Sequence, residues 1–555
     1  MKMNKSYELV LGEECLSVAA GTSFSELAKK EQEKYSSPIL LATLNGVLHE
    51  LGAPVEEAGE LRFLTLRDKA GFQCYERSVI LLLLAAQYSL YGKAGKEIWI
   101  DYKESGALRC RILGQTRVSR EELTRLETAM RELVAAALPI EKRSVPTREA
   151  VRLFEARGMK DKAELFRFRI HSSVNLYRLG GYEDYFYGYM LPDSSYLNAF
   201  SLEAYEDGFV LKLPNRRDPM ALMSFQPAQK IFEAMETSRE NLERQGIETV
   251  GALNARAAAG KMKELILCAE AQMEKRIGDL AEKICRRDEV RIVLIAGPSS
   301  SGKTTFARRL ATQLLALGKT PHAIEVDNYF KNRSDTPRDE KGNYDFEALA
   351  ALDVDGFNND LNRLLNGERI ELPRFDFIAG ERNYRGDYLH CGPSDILLIE
   401  GIHCLNEALS FSIPAEKKHK IYVSCLTQLN LDAHNRIPTG DARILRRIVR
   451  DARLRGNDAA ESLARWASVS AGEERYIFPN QGNADDVFNS ALPYETAALK
   501  PYAEALLFGV PETHPSYLEA KRLLKFLSYF LTFPSEDIPA TSLVREFIGG
   551  SAYGA

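Results

Sequence analysis

Residues 297–305 read GPSSSGKTT and follow directly on the apolar run RIVLIA at residues 291–296. The stretch fits G-x-x-x-x-G-K-[ST]. After it, Phe306, Ala307, Leu310, Ala311, Leu314 and Leu315 recur at helical spacing, so strand, glycine loop and helix stand in the order that a phosphate-binding loop needs. Gly297 and Gly302 let the backbone curl. The N–H groups of Pro298's successors Ser299, Ser300 and Ser301, and of Thr305 at the helix start, face an anion. Lys303 reaches the outer phosphates and Thr304 supplies a hydroxyl for magnesium. The stretch predicts a nucleoside triphosphate site, with ATP as the phosphate donor and Mg2+ as its metal.

Downstream, apolar runs alternate with helical patterns, which predicts a parallel sheet covered by helices on both faces. Strands are expected at residues 291–296, 323–326, 395–399, 420–425 and 486–489. Ligands bind beyond the carboxyl ends of such strands. Two of those ends carry acids: Asp327 in VDNYF and Glu400 in ILLIEG. Beside a phosphate loop, two acids suit metal binding and activation of a hydroxyl nucleophile. Further on, ARILRRIVRDARLRG places Arg443, Arg446, Arg447, Arg450 and Arg453 three and four residues apart, so several share one helical face. A basic helix is commonly a solvated face; downstream of a phosphate loop it serves as a lid that puts cations on the transferring group.

The chain has 555 residues, 45% hydrophobic and 27% charged, with a formal charge of −5. That length exceeds one core and calls for several domains. The small net charge supplies no global field for nucleic acid or an anionic membrane. The eight cysteines form no C-x-x-C pair, so reduced, mostly buried thiols in a cytoplasmic protein are expected. The most hydrophobic run, residues 79–86, is too short to cross a bilayer.

The front of the chain shows alternating residues around Gly12, a capping-box pair at Ser23 and Glu26, and two further short apolar runs, which suggests a β-grasp unit. GTSFSELA, LLATLNGVLHEL and FLTLRDKAG make this part resemble the TGS domain of threonyl-tRNA synthetases. From Asp68 the resemblance continues into the synthetase editing-type domain, carried by RSVILLLLAAQYSLY at residues 77–91 and YEDYFYGYMLP at residues 182–192. The synthetases place an H-x-x-x-H and a C-x-x-x-H set in these segments. Here those positions hold Arg77, Leu81, Phe186 and Met190; the last three can neither bind a metal nor move a proton at neutral pH. The scaffold is expected without the hydrolytic chemistry. The aromatic cluster around Tyr177 to Tyr189 suits packing better than base stacking, since no basic row accompanies it.

The rear half resembles the uridine kinase branch of the P-loop kinases. GPSSSGKTT, DNYF, NYDF at residues 343–346, PRFDF at residues 373–377, ILLIEGI and the arginine helix appear in that family's order. The resemblance implies Asp327 as the base for a 5′-hydroxyl, Asp345 on the ribose hydroxyls, and Glu400 near the metal with Thr304 and Asp327. Catalytic roles fall to Asp327, Lys303, Arg446, Arg447 and Arg450; substrate contacts to Asp327, Asp345, Phe375, Arg382 and Arg443. The family's base-facing tyrosine is Phe375 here and the histidine five positions later is Gly380, which leaves the favoured base open and suggests room for a larger ring. The expected architecture is α/β and multidomain: a TGS-like β-grasp domain at 1–67, an α+β editing-like domain at 68–225, a helical connector at 226–288 and a P-loop kinase domain with a parallel sheet at 289–555. The expected activity is phosphorylation of a nucleoside 5′-hydroxyl. Alternatives are a kinase of another hydroxylated metabolite, as in phosphoribulokinases, or a nucleotide-gated RNA-binding protein using the synthetase-like front. No membrane partner is expected, and the reading is compatible with a homo-oligomer.

Overall fold

The computed structural model describes residues 6–338, 342, 344–376 and 379–554. Asn343 and Phe377, two residues of the kinase-like motifs, and the first five residues of the chain lie outside them. The chain divides into two compact units. One comprises Met1–Pro227, Glu248–Ala255 and Leu429–Pro438; the other comprises Ala228–Ile247, Arg256–Gln428 and Thr439–Ala555.

The second unit is built on a five-stranded sheet. Its strands are β1 (Ile292–Ala296), β2 (Thr320–Glu325), β3 (Asp395–Glu400), β4 (Lys418–Ser424) and β5 (Asp486–Asn489), in the order β2-β3-β1-β4-β5. Every neighbouring pair is parallel. All of β1 is buried; covered on both faces, it is a continuous aliphatic run and not an alternating one. The register sets Ile295 against both Glu400 and Ile421, so the ends of the three central strands lie level and their loops leave from one edge. Four helices matter for that edge: α1 (Lys303–Ala316), α2 (Val354–Leu365), α3 (Thr439–Leu454) and α4 (Ala459–Gly472). Asp353 caps α2, its Oδ1 accepting from the Gly356 N–H at 3.0 Å. A hairpin of Ile370–Asp376 and Glu381–Leu389 pairs Phe375 with Arg382 and Pro373 with Tyr384.

The helices expected as a connector are mostly part of this unit. The apolar stripe of Met262–Cys285 is buried at Met262, Ile266, Ala269, Met273, Ile277 and Ile284. The fully buried Arg309 of α1 binds Glu270 and Glu274 of the same helix. Of the expected connector, Glu248–Ala255 and the two residues up to Pro227 belong to the first unit.

The first unit opens with the strands Ser6–Leu11, Glu14–Ala19, Ile39–Leu44, Val47–Glu50 and Gly59–Thr65 in one sheet. Ser6–Leu11 runs parallel to Gly59–Thr65, and the helix Phe24–Glu31 lies between hairpins in sequence. Ser23 caps that helix, its Oγ accepting from the Glu26 N–H at 3.2 Å. The next helix runs Lys69–Tyr91, eight residues longer at its start than the expected 77–91. It carries Leu81 into a core shared with Phe186 and Met190, all 2% exposed or less. Tyr177, Tyr185 and Phe186 are buried too, so these three rings of the aromatic cluster pack in the core, while Tyr182, Tyr187 and Tyr189 are half-buried.

Residues far apart in sequence meet at the centre of this unit. Lys162, Asp184, Asp432 and His434 are all buried. The Lys162 ammonium donates to Asp432 at 2.7 Å and lies 3.3 Å from Asp184 and 3.0 Å from His434 Nδ1. Burial opposes the charge on Asp184, but Lys162 and His434 outweigh it and hold the carboxyl at about 2. Removing one member of such a group strands the others. Lys162→Met should therefore destabilise this unit by about 3–5 kcal/mol. Urea unfolding followed through Trp99 in a Trp466→Phe background, which leaves one tryptophan in this unit, measures it.

Candidate active site

The glycine loop joins β1 to α1 at the level edge of the sheet. Gly297 has no room for a side chain, since a Cβ there would fall 2.0 Å from the Val423 carbonyl of β4. Ser300 and Gly302 take left-handed backbone, with φ 58° and 86°. Gly302 suits that conformation; Ser300 pays strain of about 1 kcal/mol or more for it. The Lys303 ammonium folds back on the loop and donates to the carbonyls of Gly297 and Pro298 at 2.9 and 3.3 Å. Thr304 Oγ1 donates to the Glu400 carboxylate at 3.1 Å. Strand β3 thus delivers its terminal acid to the hydroxyl expected to hold a metal.

Asp327 stands in the short turn Val326–Tyr329 that follows β2. Its side chain is open to solvent, yet its depth in the cleft raises the carboxyl above the ordinary range, against the opposing pull of Lys303. Burial pushes Glu400 up to about 7 despite Lys303, with Glu325 and Glu546 adding to the rise. Burial, Glu473 and Asp327 push Glu347 up to about 7 as well. Asp327, Glu347 and Glu400, with Glu325, Glu473 and Glu546 beside them, therefore crowd the loop around Lys303. This donor set of Thr304, Glu400 and Asp327 fits a hard divalent cation, whose charge would relieve the crowding.

The expected lid arginines divide by surroundings. Arg446 is fully buried and bidentate to Glu495, with further donation to the Ser300 carbonyl at 3.3 Å and the Ser490 carbonyl at 3.0 Å. It has no surface from which to meet a transferring group, so its place is that of a brace for the loop. Arg443, expected as a substrate contact, forks onto Glu473 at 2.5 and 2.6 Å and stacks over Trp466. Arg447 donates to Ser299 Oγ at 2.9 Å. Arg450 binds its neighbour Asp451. Arg455, not singled out in the sequence, is exposed and close enough to Asp327 for their charges to interact.

Sequence reasoning also missed two carboxylates on the loop itself. Glu473 accepts from the Ser299 N–H at 2.9 Å. Glu546, in the short helix Arg545–Ile548, accepts from Thr305 Oγ1 at 2.6 Å and from its N–H at 3.3 Å. Nothing local in the sequence marks either. On the acceptor side, the Tyr476 hydroxyl donates to Asp345 at 2.6 Å, and His403 lies beside Tyr476, held neutral because burial lowers its pKa to about 4. Phe375 donates its N–H to Asn328 Oδ1 at 3.2 Å and its ring lies 5.6 Å from Phe330. Arg382 pairs with Asp353 at 2.7 Å. The expected open space at Gly380 is absent. Its φ is 75°, and an added Cβ would fall 2.8 Å from the Arg333 guanidinium, so a neighbouring arginine fills the place where a histidine would stand.

A parallel sheet in this order with a glycine loop at its centre and acids on the two adjoining strand ends defines a P-loop kinase fold. The family model for "Phosphoribulokinase / Uridine kinase family" matches residues 292–497. A uridine kinase of Halobacterium salinarum is 31% identical over 34% of this chain and 76% of its own length, and one of Chlamydia pneumoniae is 32% identical over 35% and 79%. The chain belongs to the phosphoribulokinase/uridine kinase family. Its front part is similar to threonine–tRNA ligases: that of Rubrobacter xylanophilus is 30% identical over 34% of this chain, which is 29% of the ligase.

The Glu400 carboxyl offers a check on the crowding. With its value raised from 4.5 to about 7, the folded chain keeps a proton between those values that the unfolded chain has lost. Stability therefore falls as pH rises toward 7 and levels off above it. In metal-free buffer, Glu400→Gln should melt about a few degrees above the parent at pH 8, with the gap closing by pH 5. Calorimetry at the two pH values measures it.

Proposed function

We propose that the chain transfers the γ-phosphoryl group of ATP to the 5′-hydroxyl of a nucleoside, with Mg2+ as the metal. The observation that carries this reading is the placement of Asp327, one turn beyond β2 and within the field of Lys303, at the mouth of the loop. A nucleotide switch needs no acid there, whereas transfer to a hydroxyl needs a group that takes its proton. The raised Asp327 value suits that task, since a base works best when its pKa approaches the operating pH.

Bound Mg2+ neutralises charge on the phosphates. Thr304 and Glu400 would hold it, with Asp327 nearby. The loop amides and Lys303 orient the phosphates; to do so Lys303 leaves the Gly297 and Pro298 carbonyls, and the Ser299 N–H exchanges Glu473 for an anion. Arg447, Arg450 and Arg455 would meet the transferring group, while Arg446 and Arg443 would keep the loop in shape. Asp345, oriented by Tyr476, takes the ribose hydroxyls. We further infer that the front unit is a TGS-like and editing-like pair without hydrolytic chemistry, because Leu81, Phe186 and Met190 fill its would-be centre with apolar side chains.

A kinase assay across ribo- and deoxyribonucleosides with ATP and GTP as donors tests the reading, and ATP consumption only with a non-nucleoside acceptor would replace it. Lys303→Ala should lower turnover by about 10²-fold or more, about 3 kcal/mol. Asp327→Asn should cost about 10²- to 10⁴-fold in kcat with ATP affinity largely kept; loss of ATP affinity alone would make Asp327 a metal ligand and not a base. The full chain should leave mischarged tRNA intact in a deacylation assay.

A further inference from the structure

A cavity of about 240 Å³ opens beyond the Asp327 turn, lined by Lys331, Asn332, Asp335, Asp353, Arg382 and Tyr384. Lys331 and Asn332 come from the chain just past that turn, and Arg382 and Tyr384 from the hairpin strand opposite Phe375. Phe375, Arg382 and Tyr384 occupy positions of one hairpin face, because cross-strand partners and alternate residues share a face. Its lining thus begins four residues past Asp327 and takes in the hairpin strand that pairs with Phe375.

Its chemistry is specific in three respects. Lys331 and Arg382 balance Asp335 and Asp353, so the lining is polar yet neutral, which suits an uncharged acceptor better than one bearing its own phosphate. Tyr384 leaves 57% of its surface exposed, a bare aromatic face on which a planar ring can stack. The Arg382 guanidinium is fixed by one arm: Nη1 donates to Asp353 Oδ2 at 2.7 Å, and its own backbone N–H donates to Asn332 Oδ1 at 3.0 Å. Asp353 is fixed in turn, since its Oδ1 caps α2. Among the described residues, Nε and Nη2 of Arg382 have no hydrogen-bond partner. The pair thus presents two held donors beside a carboxylate with lone pairs to spare.

We infer that this cavity receives the base of the acceptor nucleoside and selects a lactam edge, a ring carbonyl beside a ring N–H. The inference rests on the nucleoside kinase reading above. A 6-oxopurine offers O6 and N7 to the arginine fork, as guanine does to arginine in duplex DNA, and its N1–H to the acid. A 4-oxopyrimidine offers O4 to one arm of the fork and N3–H to the acid, with no second ring acceptor. Adenine and cytosine put an amino group where the carbonyl would be, so donor faces donor, and a site built around fixed donors rejects that arrangement strongly. Discrimination comes here from a different strand position than the Phe375 and Gly380 sites.

The test compares kcat/KM for inosine against adenosine and for uridine against cytidine, with ATP as donor. Wild type should favour inosine over adenosine by about ten- to a hundredfold, the worth of a bidentate arginine contact, and uridine over cytidine by a smaller factor, since O4 meets one arm only. Arg382→Lys keeps the charge but loses the fork and should bring both ratios within about threefold of unity, with KM for ATP and the melting temperature unchanged. Tyr384→Ala should raise KM for all four nucleosides alike and leave the ratios in place. Equal use of oxo and amino bases by wild type, or ratios that survive Arg382→Lys, would overturn the inference while leaving a nucleoside kinase; turnover of no nucleoside would overturn both.

Discussion

A phosphate loop works only if its backbone N–H groups are held outward with nothing beneath them free to collapse, and in this chain that constraint is met by buried arginines. Arg446 draws the Ser300 carbonyl, Ser490 and Glu495 together, and Arg443 joins the Ser299 carbonyl to Glu473. Each guanidinium meets a carboxylate through two of its nitrogens, the arrangement that makes a buried cation tolerable. The strained Ser300 backbone and the close approach of Gly297 to β4 depend on these braces. The level edge itself is set by strand register: β3, which ends in Glu400, pairs with β1, and β2, which leads to Asp327, pairs with β3.

Much of this was legible in the sequence, and what was not has a common physical cause. The central strands β1 and β3 stand out because buried parallel strands are aliphatic runs, and Asp486–Asn489 matches its expected bounds; the edge strand β2, TPHAIE, is largely exposed and starts three residues before the expected 323. Thr304 and Glu400, expected as partners in metal binding, are within hydrogen-bond distance across 96 residues. The arginine helix is equally plain as a period, but a period does not say which members are buried. That depends on Glu473 and Glu495, which lie 30 and 49 residues further on. Gly380 fails for a similar reason: the absent side chain suggested space, while Arg333, distant in sequence, fills it. The longer helix Lys69–Tyr91 was clipped because its first two turns are too polar and mixed to show a stripe.

Carboxylates of the chain itself occupy donors of the loop, and this shapes how such a site responds to its ligand. Glu473 on the Ser299 N–H and Glu546 on Thr305 stand where anionic oxygens are attracted by the helix start. A triphosphate entering with a divalent cation exchanges these internal carboxylates for its own oxygens. The protein thus keeps its anion-binding groups satisfied in the absence of nucleotide, and binding is an exchange of partners in place of a first pairing.

The segment Leu429–Pro438 belongs to the first unit although it lies between β4 and α3 of the second, and this has a consequence for how the chain is made. Lys162 meets Asp432 across 270 residues of sequence. At a synthesis rate of about 5–20 residues per second, roughly a quarter of a minute to a minute separates their emergence from the ribosome. Throughout that interval Lys162 and Asp184 have been translated without the acid and imidazole that complete their cluster, so the amino-terminal unit cannot finish folding ahead of the rest. Vectorial folding, in which each domain closes before the next appears, is denied to this protein, and its nascent chain must wait, half assembled, for its own later residues.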